Sequence, residues 1–156
     1  MISIKSFATL FVILFVTTNY TFADQMLDLV NQARQANNVP PLKLDSRLVS
    51  AAQKHSNYQA SINTMTHDDA SGPLGTRLSN EGVDWSAAAE NVAWNQPNIT
   101  EVMKAWLNSP GHRENLLNSA YTIFGWGVKN LYWTQDFAAL MSAQETSHTK
   151  ENEEIK

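Results

Sequence analysis

The chain opens with an apolar run from Phe7 to Val16, after a single lysine at Lys5 and before a Thr21-Phe22-Ala23 tripeptide. Such a run is shorter than the roughly 20 apolar residues that span a bilayer, and with its small-residue ending it reads as a secretory signal peptide cleaved after Ala23. An uncleaved anchor is the alternative. Beyond it the pattern changes to helical periodicity. Met26, Leu29, Val30 and Ala33 recur on one face between Asp24 and Asn38, and the segment stops before "VPP", so a first amphipathic helix is predicted. Asp45 or Ser46 can cap a second, along which Leu48, Ala51, Ala52, His55, Gln59 and Ile62 share a face. A histidine inside an apolar stripe is expected to be a satisfied core or boundary residue.

Residues 64 to 83, "TMTHDDASGPLGTRLSNEGV", carry turn chemistry, with a short helix expected near Leu74 to Ser79 and His67 at the front. In "WSAAAENVAW" the carboxylate of Glu90 is enclosed by alanine and valine. An unpaired charge there is costly, so Glu90 should have a partner; the bland alternative is a solvated glutamate on a helix surface. Asn98 and Glu101 have capping-box spacing ahead of Val102, Met103, Trp106 and Leu107. A further helix starts in "SPGHRENLLN", where Ser109 can cap, Pro110 suits the first helical position, and Leu116 and Leu117 turn inward. His112 therefore lies in a first turn, whose free amides lower a histidine's pKa and favour its neutral form. "YTIFGWGVKNLYWTQDFAAL" is rich in aromatic and β-branched residues and breaks at Lys129-Asn130, the pattern of two antiparallel strands. The tail from Ser142 to Lys156 is polar and without periodicity. It is expected to be disordered, with His148 inert.

Composition narrows the chemistry. The 156-residue chain has no cysteine and a formal net charge of −4, which removes disulfides, thiol nucleophiles and thiolate metal sites, and disfavours nucleic acid. His112 and Glu114 form an H-x-E without the cysteine pair that zinc deaminases need. No H-E-x-x-H, G-x-S-x-G, phosphate loop or dinucleotide fingerprint occurs. Asn98-Ile99-Thr100 is a glycosylation sequon, meaningful only for a eukaryotic source.

Taken together, "LDLVNQARQANNVPPLKLDSRLVSAAQKHS", "THDD", "AENVAW", "AWLNSPGHRENLLN", "GWGV" and "YWTQDFA" resemble the CAP superfamily, the cysteine-rich secretory, antigen 5 and pathogenesis-related 1 proteins, in its short cysteine-free form common in bacteria. The resemblance runs from about Asp24 to Leu140 and sets the expected division: residues 1–23 signal peptide, 24–141 CAP domain, 142–156 tail. It implies an α+β fold, an α-β-α sandwich with a small, mainly antiparallel sheet between helical layers and a cleft on one side.

In that family the cleft holds two histidines and two glutamates. By motif, His67 matches the first histidine, Glu90 the first glutamate and His112 the second histidine. The second glutamate is missing. Ser109 stands near its place, and Glu114, two residues beyond His112, points roughly 200 degrees away on a helix. Two imidazoles and one carboxylate supply three ligands of the kind zinc accepts, so weak Zn²⁺ binding by His67, His112 and Glu90 is expected. A paired polar network that fixes the cleft is the plainer reading.

The function this implies is extracytoplasmic binding, by a secreted or periplasmic protein, of a lipid or sterol, an envelope component or a partner protein. Trp94, Trp106, Trp126 and Trp133 are either groove walls or core. The alternative is a metal-dependent hydrolase of peptide or cell-wall substrates, with His67 and His112 as ligands and Glu90 as third ligand or general base. An adhesion module is a third.

Overall fold

The computed structural model describes residues 22–142, with side chains from residue 25 onward. The expected signal segment, apart from its last two residues, the tail beyond Ser142, and His148 lie outside the described residues. No described helix is long and apolar enough to cross a membrane.

Helix α1 (Phe22–Ala36) leads through β1 (Lys43–Leu44) into α2 (Ser46–Ile62) and α3 (Leu74–Asn80). Strand β2 (Trp85–Trp94) follows, then α4 (Ile99–Asn108), α5 (Pro110–Leu117) and the hairpin β3 (Ile123–Lys129) and β4 (Tyr132–Leu140). The strands form one sheet in the order β1-β3-β4-β2. Only the β1–β3 pair is parallel. This is the mixed, mainly antiparallel sheet between helical layers that the resemblance implied.

Local chemistry explains the boundaries. Asp45, rather than Ser46, caps α2 by accepting from the Arg47 amide at 2.9 Å. Asn98 caps α4 from the Glu101 amide. Ser109 occupies the cap position of α5 but its side chain makes no capping bond, so that part of the expectation fails. The hairpin turns through Asn130 and Leu131, both left-handed (φ 50° and 64°), the geometry that matches the twist of a two-residue connection.

Each face of the sheet buries its own core. On one side α1, α4 and α5 cover Phe124, Trp126, Trp133 and Phe137. On the other, α2 and α3 pack Leu48, Ala51 and Leu78 against Ile123 and Ala138. Alternation along β3 puts Gly125 and Gly127 under α2. A Cβ at either would overlap α2 backbone, at Leu48 and Gln53 respectively, so the "GWGV" glycines let helix and sheet approach closely.

"WSAAAENVAW" is the segment whose element the sequence did not reveal. It is a ten-residue edge strand, not a helix surface, paired along β4 from Trp85↔Leu140 to Trp94↔Tyr132 with a bulge near Ser86. Three alanines hide the alternation that normally marks a strand, and pairing with β4 overrides their weak β propensity.

Candidate functional site

The outer edge of β2 is where the two helical layers part, and the candidate residues gather along it. Alternation sends Glu90 and Asn91 to opposite faces of the sheet. Glu90 turns toward α2 and α3; Asn91 turns toward α5.

On the first face Glu90 is 8% exposed and surrounded by partners. His67 Nδ1 stands 2.9 Å from Oε1, and Arg77 Nη2 stands 2.8 Å from Oε2. The Arg77 contact is one of charge rather than an aligned hydrogen bond, since neither atom has a well-directed partner. Burial pushes the Glu90 carboxyl up, but the His67 bond and the Arg77 charge outweigh it and hold the group below its ordinary value. The His67 imidazole is raised in return, chiefly by its bond to Glu90.

Asp136 sits directly opposite Glu90 in the β2–β4 ladder, with Gly125 on its other side, and is 0% exposed. As a carboxylate, neither of its oxygens would find a donor. Burial first, and the neighbouring Glu90 charge second, push its carboxyl well above the ordinary range. The pair is therefore one carboxylate, Glu90, and one carboxylic acid, Asp136, which as the acid can donate to Glu90.

The loop bearing His67 is held from beneath. His55, fully buried in α2, places Nδ1 2.8 Å from Asp69 Oδ2 and Nε2 2.8 Å from the Thr66 carbonyl. Gln59 accepts from the Thr66 amide and donates to Thr134, which also receives the Ser56 hydroxyl. His55 is thus the satisfied core histidine that its apolar stripe predicted.

On the second face α5 is docked by amides. Asn115 donates to the Asn91 side-chain oxygen at 2.9 Å, and Asn91 donates to the His112 carbonyl at 3.1 Å. At the far end, the buried Arg34 of α1 donates to the carbonyls of Leu116, Asn118 and Tyr121, and also to Pro40. These contacts fix α5, and with it His112, against β2. Its ring makes no hydrogen bond among the described residues. Burial first, and then the charge of His67, lower its pKa, the direction expected for it, though through burial rather than the helix start.

His67 and Glu90 form one hydrogen-bonded pair, and His112, which lines a groove with Ser109 and Trp106, lies near enough for the charge of His67 to act on it, but the three do not stand as a ready-made ligand set. Among the described residues no three His, Asp or Glu side chains are placed to hold a metal ion. Glu90 has Oε1 on His67 and Oε2 beside Arg77. Ser109, near the missing glutamate's place, lines the cleft wall beside His112. Glu114 is exposed and its charge is felt by Tyr121, away from the cleft. Arg77, Asp136, Asp69 and Arg34 were not marked by the sequence. Only an arginine among loop residues and "TQDF" on a buried strand hinted at charges needing partners.

The tryptophans divide. Trp126 and Trp133 are core, stacked on one another at 6.1 Å, so their alternative role as groove walls is excluded. Trp106 is buried but lines the cleft with its indole N–H on the Val92 carbonyl. Trp94 is half exposed and stacks on Tyr132.

An α-β-α sandwich around one mainly antiparallel sheet defines the class. Residues 27–141 match the family model "CAP: Cysteine-rich secretory protein family", and the chain belongs to that family. It is 38% identical over 118 residues to an uncharacterized membrane protein, YlbC, of Bacillus subtilis and 33% identical over 119 residues to the uncharacterized protein YkwD of the same organism. Those alignments take in 75% and 74% of this chain but only 34% and 46% of the relatives' length. Among solved structures, an extracellular protein containing an SCP domain from Bacillus anthracis superposes with a TM-score of 0.73 at 36% identity, over 75% of this chain and 40% of that one. A cysteine-rich secretory protein from Staphylococcus aureus gives 0.64 at 28%, over 73% and 36%.

Proposed function

We propose that the domain acts outside the cytoplasm by binding, not by catalysis, and that its His67–Glu90–Arg77–Asp136 cluster is a structural network that holds the cleft in shape. The observation that carries this reading is the double engagement of Glu90. A general base needs a lone pair within reach of a substrate proton, and a zinc ligand needs an oxygen free to coordinate. Glu90 is 8% exposed and its charge is already matched by His67 and Arg77, so a substrate proton or a metal ion would have to compete with both. The extracytoplasmic placement is supported by the apolar leader pattern and by the extracellular description of the Bacillus anthracis relative.

The ligand class is a lipid or sterol, an envelope component or a partner protein. Zinc, in this reading, is an occasional guest of His67 and neutral His112, held in the micromolar range or more weakly, roughly −8 kcal/mol at 1 μM. One experiment separates binding from hydrolysis. The purified protein is incubated with peptide and peptidoglycan libraries, with zinc and with chelator, and a sample from the native host is extracted for bound small molecules. The expected result is unchanged substrates under every condition and a recoverable ligand. Cleavage that zinc supports and chelator abolishes would overturn the proposal.

A further inference from the structure

Beside His112 the cleft deepens into a groove of about 330 Å³ whose character differs from the charged cluster. Its walls are Met65, Val92, Ala93, Trp94, Ala105 and Trp106, with Gln96, Ser109 and His112 as its only polar lining. The volume lies at the low end of the range for ligand pockets, so the groove accommodates a ring or a short segment and not the whole of a large lipid.

We infer that this groove takes an uncharged aromatic ring carrying one hydrogen-bonding edge, a phenol or an indole, either free or as a side chain of a larger ligand. This rests on the binding reading above and names the chemistry that one part of the cleft would recognise.

Shape supports the ring. Trp94 has one face against Tyr132, at 5.9 Å between centroids, yet is 50% exposed, as is Met65 across the groove. Half-exposed tryptophan and methionine facing a concavity form a polarizable slot for a flat group. Charge selects neutrality. No Asp, Glu, Lys or Arg lines the groove, Ser109 stands near the place where a carboxylate was expected, and Glu90 is already matched by Arg77 and His67. The groove therefore has no fixed charge to meet an ion, and a charged ligand would be desolvated without a partner. The polar edge is called for by the lining itself. The Ser109 hydroxyl and both His112 ring nitrogens make no hydrogen bond among the described residues, and Gln96 Oε1 is buried without a donor.

The test uses one ring with different attachments, read by NMR shifts of the Trp94 and His112 side chains in the purified full chain. The probes are p-cresol, toluene, tyramine, 4-hydroxyphenylacetate and N-acetyl-tyrosinamide. p-Cresol should bind about tenfold more tightly than tyramine or 4-hydroxyphenylacetate and measurably more tightly than toluene. Stronger binding of N-acetyl-tyrosinamide than of p-cresol identifies a peptide side chain as the source, and the reverse identifies a small molecule. Trp94→Ala, at an exposed position that leaves the fold intact, should lose about tenfold. Ser109→Glu should invert the charge preference toward tyramine, while Ser109→Gln, similar in size but neutral, should not. The inference is overturned by equal binding of all charge types, by absence of shifts at about 10 mM p-cresol, or by affinities unchanged in Trp94→Ala and Ser109→Glu. None of these outcomes would by itself create hydrolysis, so the binding reading stands or falls on its own experiment.

Discussion

Asp136 is the residue whose behaviour follows most directly from position alone. It lies in the row Gly125–Asp136–Glu90 beneath α2, fully buried and with no donor to either oxygen. A group whose folded pKa is raised contributes stability that is complete below its unfolded value and lost as pH rises through the folded one. Asp136 belongs to this type. Asp136→Asn keeps the shape and the ability to donate but cannot ionise. Urea midpoints of wild type and Asp136→Asn should therefore diverge in favour of the variant as pH rises above the ordinary aspartate range toward the raised folded value. Parallel pH profiles would mean that Asp136 is already ionised and paired. Sequence reading found Glu90 as an enclosed carboxylate in need of a partner, and found His67 and His112 by motif. It did not find Asp136 or Arg77, because their pairing is set by register across β2 and β4 and by the docking of α3, neither of which leaves a local pattern.

At the scale of elements, helices with caps and clear stripes were readable, and so was the β3–β4 hairpin with its aromatic alternation. β2 was not, since three successive alanines carry neither period. β1 was not, since two residues in a proline-bounded linker become a strand only when β3 offers its edge. The close seat of α2 on β3 is the contact on which the buried cluster depends, for α2 also supplies His55 and the residues that clamp the His67 loop. Gly125→Ala and Gly127→Ala put a methyl group into α2 backbone and should each destabilise by about 3 kcal/mol or more. Calorimetric or urea melts would check this, and a loss no larger than about 0.5 kcal/mol would show that α2 can shift without cost.

The whole molecule explains why a cleft exists at all. Its sheet is covered on both faces; along the free edge of β2, Glu90 pairs with His67 and Arg77 on the α2–α3 side, and His112, Ser109 and Trp106 line a groove on the α4–α5 side. Two separate apolar cores hold the walls, and the cleft floor is held by charge. The account stands or falls on whether Glu90 is committed to that floor. Breaking a buried ion pair by removing one charge typically costs 3–5 kcal/mol, whereas removing a carboxylate kept free for chemistry costs little or even stabilises. The direct measurement is the urea-unfolding free energy of wild type and Glu90→Gln near neutral pH with chelator present. A loss of about 3 kcal/mol is predicted; a variant as stable as wild type, or more stable, would contradict a structural Glu90 and return it to catalysis or metal binding.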